Sequence, residues 1–219
     1  MVFSSVVFLY IFLPIMLLIY FIVPKKLKNA VMILASLIFF AWGEIRYILI
    51  MLLLAVMDFW CGKKITKYYD NKKKRIIYLS IDVGVNLLIL FFFKYADFII
   101  SNINSMTGLN MPLLNIPLPI GVSFNTFQSL SYVIDVYRGK DEAQKSVLDV
   151  GLYIAFFPQL IAGPIVRYGS IAKQLQERKH SFKLFSDGVW RFCIGLSKKL
   201  ILANQLAAIA DLAFGQAPR

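Results

Sequence analysis

The apolar positions of this chain gather into long runs instead of alternating with polar ones, and those runs set the expected elements. Phe3–Val23 carries no charged residue. As a helix at ~1.5 Å per residue it would be about 31 Å long, close to the ~30 Å hydrocarbon core of a bilayer. No basic stretch precedes it and no small-residue cleavage site follows Val23, so it reads as a retained span and not a removed signal. The runs Asn29–Gly43 and Tyr47–Trp60 are separated by Glu44 and Arg46, which predicts two segments joined by a tight turn at the far interface. Trp42, Tyr47 and Trp60 fit the interfacial aromatic belt at each end of these runs. A fourth run, Ile76–Phe93, holds one acid, Asp82, on the same helical face as Asn86. Asp58 lies near the end of the third run. Acids inside membrane segments are functional suspects by default, and the ordinary alternative is partnership with a neighbouring helix.

Beyond residue 115 the pattern changes. Pro117 and Pro119 interrupt the chain, and Pro119 suits the start of a helix that ends at Tyr137-Arg138-Gly139. Ser146-Val-Leu-Asp149 looks like a capping box opening another helix. Pro158 should bend that helix and Gly163-Pro164 should stop it near Ala162, after about 24 Å. Helices this short are tolerated at membrane depth only when packed in protein or lining a wet cavity. Arg167–Lys183 reads as a basic polar loop. Asp187–Phe214 reads as a last helix with Asp187, Arg191, Lys198 and Gln205 on one face, a stripe suited to an interface. No repeat or linker divides the chain, so residues 1–219 are expected to form a single membrane domain. The predicted fold class is all-α: a multi-pass transmembrane bundle with short broken or re-entrant helices lining a funnel.

Composition agrees. Hydrophobic residues make up 59% and charged residues 16%, against roughly 45–50% and 25% in soluble domains. A net charge of +12 would point to nucleic acid in a soluble chain. Here the basic residues sit between apolar runs, where the positive-inside rule accounts for them and nucleic acid is not implied. If every run crosses once, the loops around Lys25–Lys28 and Lys63–Arg75 share the cytoplasmic side, which places the N-terminus outside the cytoplasmic membrane. Cys61 and Cys193 make no metal or disulfide pattern and are expected to be packed thiols.

The chemistry-bearing stretch is Ser123–Arg138. On a helix, Asn125, Gln128, Tyr132 and Asp135 fall within about 80° of one another. Such a stripe must face water or a partner, because unsatisfied polar groups in lipid cost several kcal/mol. It is either one wall of a hydrophilic funnel or a set of helix–helix hydrogen bonds. The single histidine, His180, sits in the charged stretch Glu177-Arg-Lys-His180 with no partner at motif spacing. No nucleophile elbow, phosphate-binding loop, dinucleotide fingerprint or zinc motif is present. From the residues alone, no catalytic residue and no metal ligand is named.

Two stretches resemble the membrane-bound O-acyltransferase family. One is Leu118-Pro-Ile-Gly-Val-Ser-Phe-Asn-Thr-Phe-Gln-Ser-Leu-Ser-Tyr-Val-Ile-Asp-Val-Tyr-Arg-Gly139, and the other is Phe156-Phe-Pro-Gln-Leu-Ile-Ala-Gly-Pro-Ile-Val-Arg167. The opening Met1-Val-Phe-Ser-Ser, Phe12-Leu-Pro14 and Phe93-Lys-Tyr-Ala-Asp-Phe98 resemble its alginate O-acetyltransferase branch. The resemblance implies transfer of acetyl groups, from acetyl-CoA as donor and with no bound cofactor, to an exported cell-surface polysaccharide such as alginate. An extracytoplasmic acetyltransferase partner protein would complete the transfer. It also implies funnel or substrate-path roles for Ser123, Gln128, Asp135, Arg138, Gln159, Pro164 and Arg167, beside Asn125 and Tyr132 from the stripe. Asp135–Arg138 as a local ion pair and Pro164 as a helix terminator are the structural alternatives. The family's catalytic histidine lies in a Trp-His-Gly type segment that does not occur here, so the resemblance places it beyond Arg219 and implies that this chain alone is inactive. A non-catalytic membrane scaffold or a solute carrier is the competing reading.

Overall fold

The computed structural model describes residues 3–119, 121–160, 166–176, 178 and 180–215, and no strand occurs among them. Among the described residues, three helical segments are long and apolar enough to cross a membrane: Lys25–Gly43, Lys72–Thr107 and Phe182–Gly215. The chain is an all-α membrane protein. Its contacts group into two compact units, residues 15–176 and residues 3–14 with 178–215.

The first unit is built on α2 (Lys28–Lys67), one uninterrupted helix of 40 residues and roughly 60 Å. The expected turn at Glu44–Arg46 is absent. Nothing there breaks a helix: there is no proline, and a lone Gly43 costs only about 1 kcal/mol relative to alanine. The two basic segments, Lys25–Lys28 and Lys63–Lys67, therefore lie at opposite ends of one long helix. The premise that placed both on one side, one crossing per apolar run, no longer holds. Ahead of α2, the apolar helix α1 (Phe8–Ile22) is shorter than the run that predicted it. The Lys28 ammonium folds back over Tyr20, 4.4 Å from the ring centroid.

Helix α3 (Lys72–Thr107) returns along α2. Asn71 caps it by accepting from the Lys74 N–H at 3.1 Å. It continues past the predicted run through Lys94 and Asp97, whose carboxylate then accepts the N–H groups of Leu114 (2.7 Å) and Asn115 (3.0 Å). The intervening segment is thereby held to the helix end. Helix α4 (Val122–Tyr137) begins three residues after Pro119, not on it. The Pro119 carbonyl accepts from the Val122 N–H at 3.2 Å. Its end is a Schellman turn: the Lys140 N–H reaches the Asp135 carbonyl and the Gly139 N–H that of Val136, both at 3.1 Å. Gly139 takes the required positive φ of 69°. Arg75 adds a cation at that helix end, donating to the Tyr137 carbonyl and lying between the rings of Tyr69 and Tyr137.

Helix α5 (Val147–Ala155) is the most enclosed element, with Val150, Leu152, Tyr153, Ile154 and Ala155 at most 1% exposed. A helix apolar all round belongs inside a bundle, and α2, α4 and the later α7 surround it. Ser146 caps it through the Leu148 N–H at 3.1 Å. Asp149 does not close the expected box. Its carboxylate instead accepts from Asn29 Nδ2 of α2 at 2.7 Å. The chain breaks at Phe156 and resumes as the short α6 (Phe157–Leu160). Pro158 explains the break, since its ring would clash with the carbonyl one turn earlier. Ser36 of α2 accepts the Phe157 N–H freed there, at 3.2 Å. Part of the expected basic loop is helical, α7 (Tyr168–Gln176), because Tyr168 and Ile171 give it an apolar face on the core.

In the second unit, α8 (Phe182–Gly215) starts at Ser181, which accepts from the Leu184 N–H at 3.1 Å. It passes through a widened turn at Lys198–Ala203. Asp187, Arg191, Lys198 and Gln205 are all exposed. Cys193 is exposed too, contrary to the packed thiol expected, whereas Cys61 is buried.

Candidate functional site

The site is organised by two adjoining faces of α4. Val122, Thr126, Ser129, Val133 and Val136 follow helical spacing and are all buried. Next to them runs the predicted stripe. Its central members, Gln128 (2% exposed) and Tyr132 (0%), are inside the bundle, while Asn125 and Asp135 at its ends are partly exposed. Thr126 and Ser129 lay off the stripe and were not singled out from sequence. Their signal is the small-polar and valine pattern at 122, 126, 129, 133 and 136, which marks a close-packed face.

Gln128 Nε2 donates to Gln159 Oε1 at 3.0 Å, joining α4 to α6 across the break at Phe156. Two residues named independently in the two motifs thus meet. Gln128 Oε1, Asn125 Oδ1 and Thr126 Oγ1 are buried and meet no protein donor. Unsatisfied buried oxygens of this kind are costly, and in native proteins they mark water, ligand or strain. Asn125 and Ser129 line a cavity of about 20 Å³ with Tyr47, Pro119, Met51 and Ile154, room for one water.

Tyr132 accepts the Gln144 N–H at 3.3 Å and packs edge-on against Tyr168, with ring centroids 4.8 Å apart. Tyr168 in turn meets Tyr153 at 5.4 Å. Tyr153 donates to the Val166 carbonyl at 2.9 Å, and Tyr168 donates to the Glu142 carbonyl at 3.2 Å. Burial pushes the Tyr168 phenol above its ordinary range, which keeps it a neutral donor. This tyrosine cluster ties down the segments that precede α5 and α7.

The remaining candidates are dispersed. Ser123 is half-buried at the first turn of α4. Arg138 is exposed and forms no ion pair with Asp135; its backbone N–H closes α4 on the Ile134 carbonyl at 2.9 Å. The Arg167 side chain is exposed, and its carbonyl caps α7 through Ser170. Pro164 lies outside the described residues. Among the described residues no group of His, Cys, Asp and Glu is arranged to hold a metal. His180 is exposed in the segment before α8.

A second polar centre lies deeper. Asp58 and Asp82 are both fully buried, on α2 and α3, and Asn86 Nδ2 donates to both carboxylates, at 3.1 and 3.2 Å. The shared face of Asp82 and Asn86 was visible in the sequence. Asp58 as their partner was not.

Comparison with known proteins gives relatives over nearly the whole chain. It is 40% identical over 218 residues to a probable alginate O-acetylase of Pseudomonas syringae pv. tomato, covering 98% of this chain and 42% of that protein. It is 38% identical to the probable alginate O-acetylase of Pseudomonas aeruginosa, with the same coverage. A peptidoglycan O-acetyltransferase of Helicobacter pylori is 30% identical, covering 99% of this chain and 47% of that protein. The chain thus spans under half the length of these curated relatives. No protein-family profile matches it, and no solved structure does.

Proposed function

We propose that this chain is part of a membrane-bound O-acyltransferase that moves acetyl groups to an exported cell-surface polysaccharide. The observation that carries the reading is the similarity to named O-acetylases over 98% of the chain. Alginate and peptidoglycan are the acceptors named for the relatives, so a polymer hydroxyl is the acceptor class here. Acetyl-CoA is the donor on the cytoplasmic side of the cytoplasmic membrane, and the basic turn between α2 and α3 faces that side. An extracytoplasmic protein partner receives or completes the transfer. The general base, a histidine, belongs to the part of the whole protein that this chain does not span.

In this reading residues 1–219 form one membrane domain, and α4 with α6 supplies one wall of the substrate path. Gln128 and Gln159 hold the two helices of that wall in register. Asn125, with its free buried oxygen beside the cavity, is placed to meet a hydroxyl or water. Ser123, Tyr132, Asp135, Arg138, Pro164 and Arg167 support or flank that path.

The test uses the full-length protein in membrane vesicles with radiolabelled acetyl-CoA and a soluble acceptor polysaccharide. Acetyl transfer by the full-length protein, and none by residues 1–219 alone, is the expected result. Solute uptake without acetyl transfer would replace the enzyme with the carrier.

A further inference from the structure

The seam between α2 and α3 carries three kinds of side chain in order along its outer face. At the hairpin end, residues 63–75 hold seven cations and a single acid, Asp70. Arg75 is taken up by the fold, between the rings of Tyr69 and Tyr137. Three of the lysines instead border aromatic rings: Lys64 lies 5.4 Å from the Trp60 ring centroid, and Lys74 and Lys67 lie 4.7 and 5.9 Å from that of Tyr68. A ring face holds an ammonium in place through its quadrupole and leaves its charge to meet an anion. Lys74 also stands in the first turn of α3, which has no acid. The helix dipole disfavours a cation there, and an anion would offset both positive charges.

Next come the rings themselves. Trp60 meets Tyr78 edge-on with centroids 5.3 Å apart, and Tyr78 stacks on Tyr68 at 5.8 Å. Aromatic residues of this kind sit at the membrane–water boundary. Beyond them α2 and α3 part to leave a cleft of about 400 Å³. Among the described residues it is lined only by apolar side chains, including Leu53, Leu54 and Met57 of α2 and Val85, Leu88 and Phe92 of α3. Leu53, Leu88 and Phe92 are exposed, so the cleft opens sideways, toward lipid. A cavity with such walls excludes water and takes apolar guests.

The three zones share one helical face. In steps of three or four residues, Leu53, Met57, Trp60 and Lys64 follow one another on α2, and Phe92, Leu88, Val85, Ile81, Tyr78 and Lys74 on α3. Lys64 to Met57 is about 10 Å along α2 and Lys74 to Val85 about 16 Å along α3. One leaflet supplies about 15 Å of hydrocarbon. A tail hanging from a phosphate at the lysines therefore reaches the cleft within its own leaflet.

We infer that this seam binds one anionic phospholipid, with its phosphate on Lys64, Lys67 and Lys74 and an acyl tail in the cleft. A soluble phosphate would use the lysines and leave the cleft empty, and a lipid without net charge would use the cleft and leave the lysines uncompensated. The site stands independently of the acetyl-transfer reading and of which side the hairpin faces.

The test is native mass spectrometry of the full-length protein released from nanodiscs that contain equal amounts of phosphatidylglycerol and phosphatidylcholine. The wild type should retain phosphatidylglycerol in preference to phosphatidylcholine. The triple variant Lys64→Gln/Lys67→Gln/Lys74→Gln should weaken that retention by about tenfold or more. Lys25→Gln/Lys26→Gln, which removes cations from the other end of α2, should leave it unchanged. Leu88→Trp puts a large ring in the cleft and should lower retention with every lysine in place. Coenzyme A and glycerophosphoglycerol, the headgroup without tails, should not displace the lipid. Equal retention of the two lipids would overturn the site, as would equal losses in the two lysine variants. Undiminished retention in Leu88→Trp, or displacement by either soluble phosphate, would do the same.

Discussion

Gly62→Ala probes the contact on which the α2–α4 packing depends. A Cβ at Gly62 would stand 2.6 Å from the Tyr132 hydroxyl and 3.1 Å from two of its ring carbons. The hydroxyl is the far end of a side chain, but this ring cannot swing away. It is fully buried, accepts the Gln144 N–H and is wedged against Tyr168. Overpacking of a core costs about 1–3 kcal/mol, and loss of the hydrogen bond adds about 1 kcal/mol. The substitution should therefore destabilise the protein by roughly 2–4 kcal/mol. Tyr132→Phe removes the closest atom and leaves the 3.1 Å contacts. Gly62→Ala should consequently cost less in that background, with a coupling of about 1–2 kcal/mol. The assay is SDS-driven unfolding in mixed micelles of wild type, both single variants and the double. Equal cost of Gly62→Ala in both backgrounds would refute the proposed contact, and no cost in either would refute the close approach of the two helices.

Gln128→Leu cuts the link to Gln159 and should lower acetyl transfer by about tenfold or more through misplacement of the path, with membrane levels unchanged on blotting. Undiminished transfer would assign Gln128 to packing alone. Asp149→Ala removes the acceptor that ties the start of α5 to Asn29 and should cost about 1.5–3 kcal/mol, as for hydrogen bonds to charged groups, read in the same unfolding assay. Single cysteines at Lys26 and Lys72, in a protein cleared of Cys61 and Cys193, should react with a membrane-impermeant maleimide from opposite faces. Labelling of both from one face would mean that α2 does not cross the bilayer as one helix.

The sequence carried the character of the fold further than its connectivity. Charge-free runs and basic turns were sufficient for an all-α membrane protein, because burial in lipid leaves few other ways to satisfy a backbone. They were not sufficient to count crossings. Glu44 and Arg46 were read as an interface because two charges inside lipid are costly, yet helix continuity is decided by local backbone chemistry, and Gly43–Tyr47 holds no breaker. Pro158 was read correctly as a disruption for the complementary reason: its effect is local and steric. What remained hidden were pairings between distant segments. Ser36 looks like a tolerated small residue in an apolar run, and its use emerges only when Phe157, 121 positions away, loses its helical acceptor. Asp82 and Asn86 declared a common face by their spacing, whereas Asp58 is joined to them by tertiary packing alone. The polar residues inside the apolar runs were therefore the informative ones: each marks where another helix arrives, and the helical spacing of its neighbours says on which face.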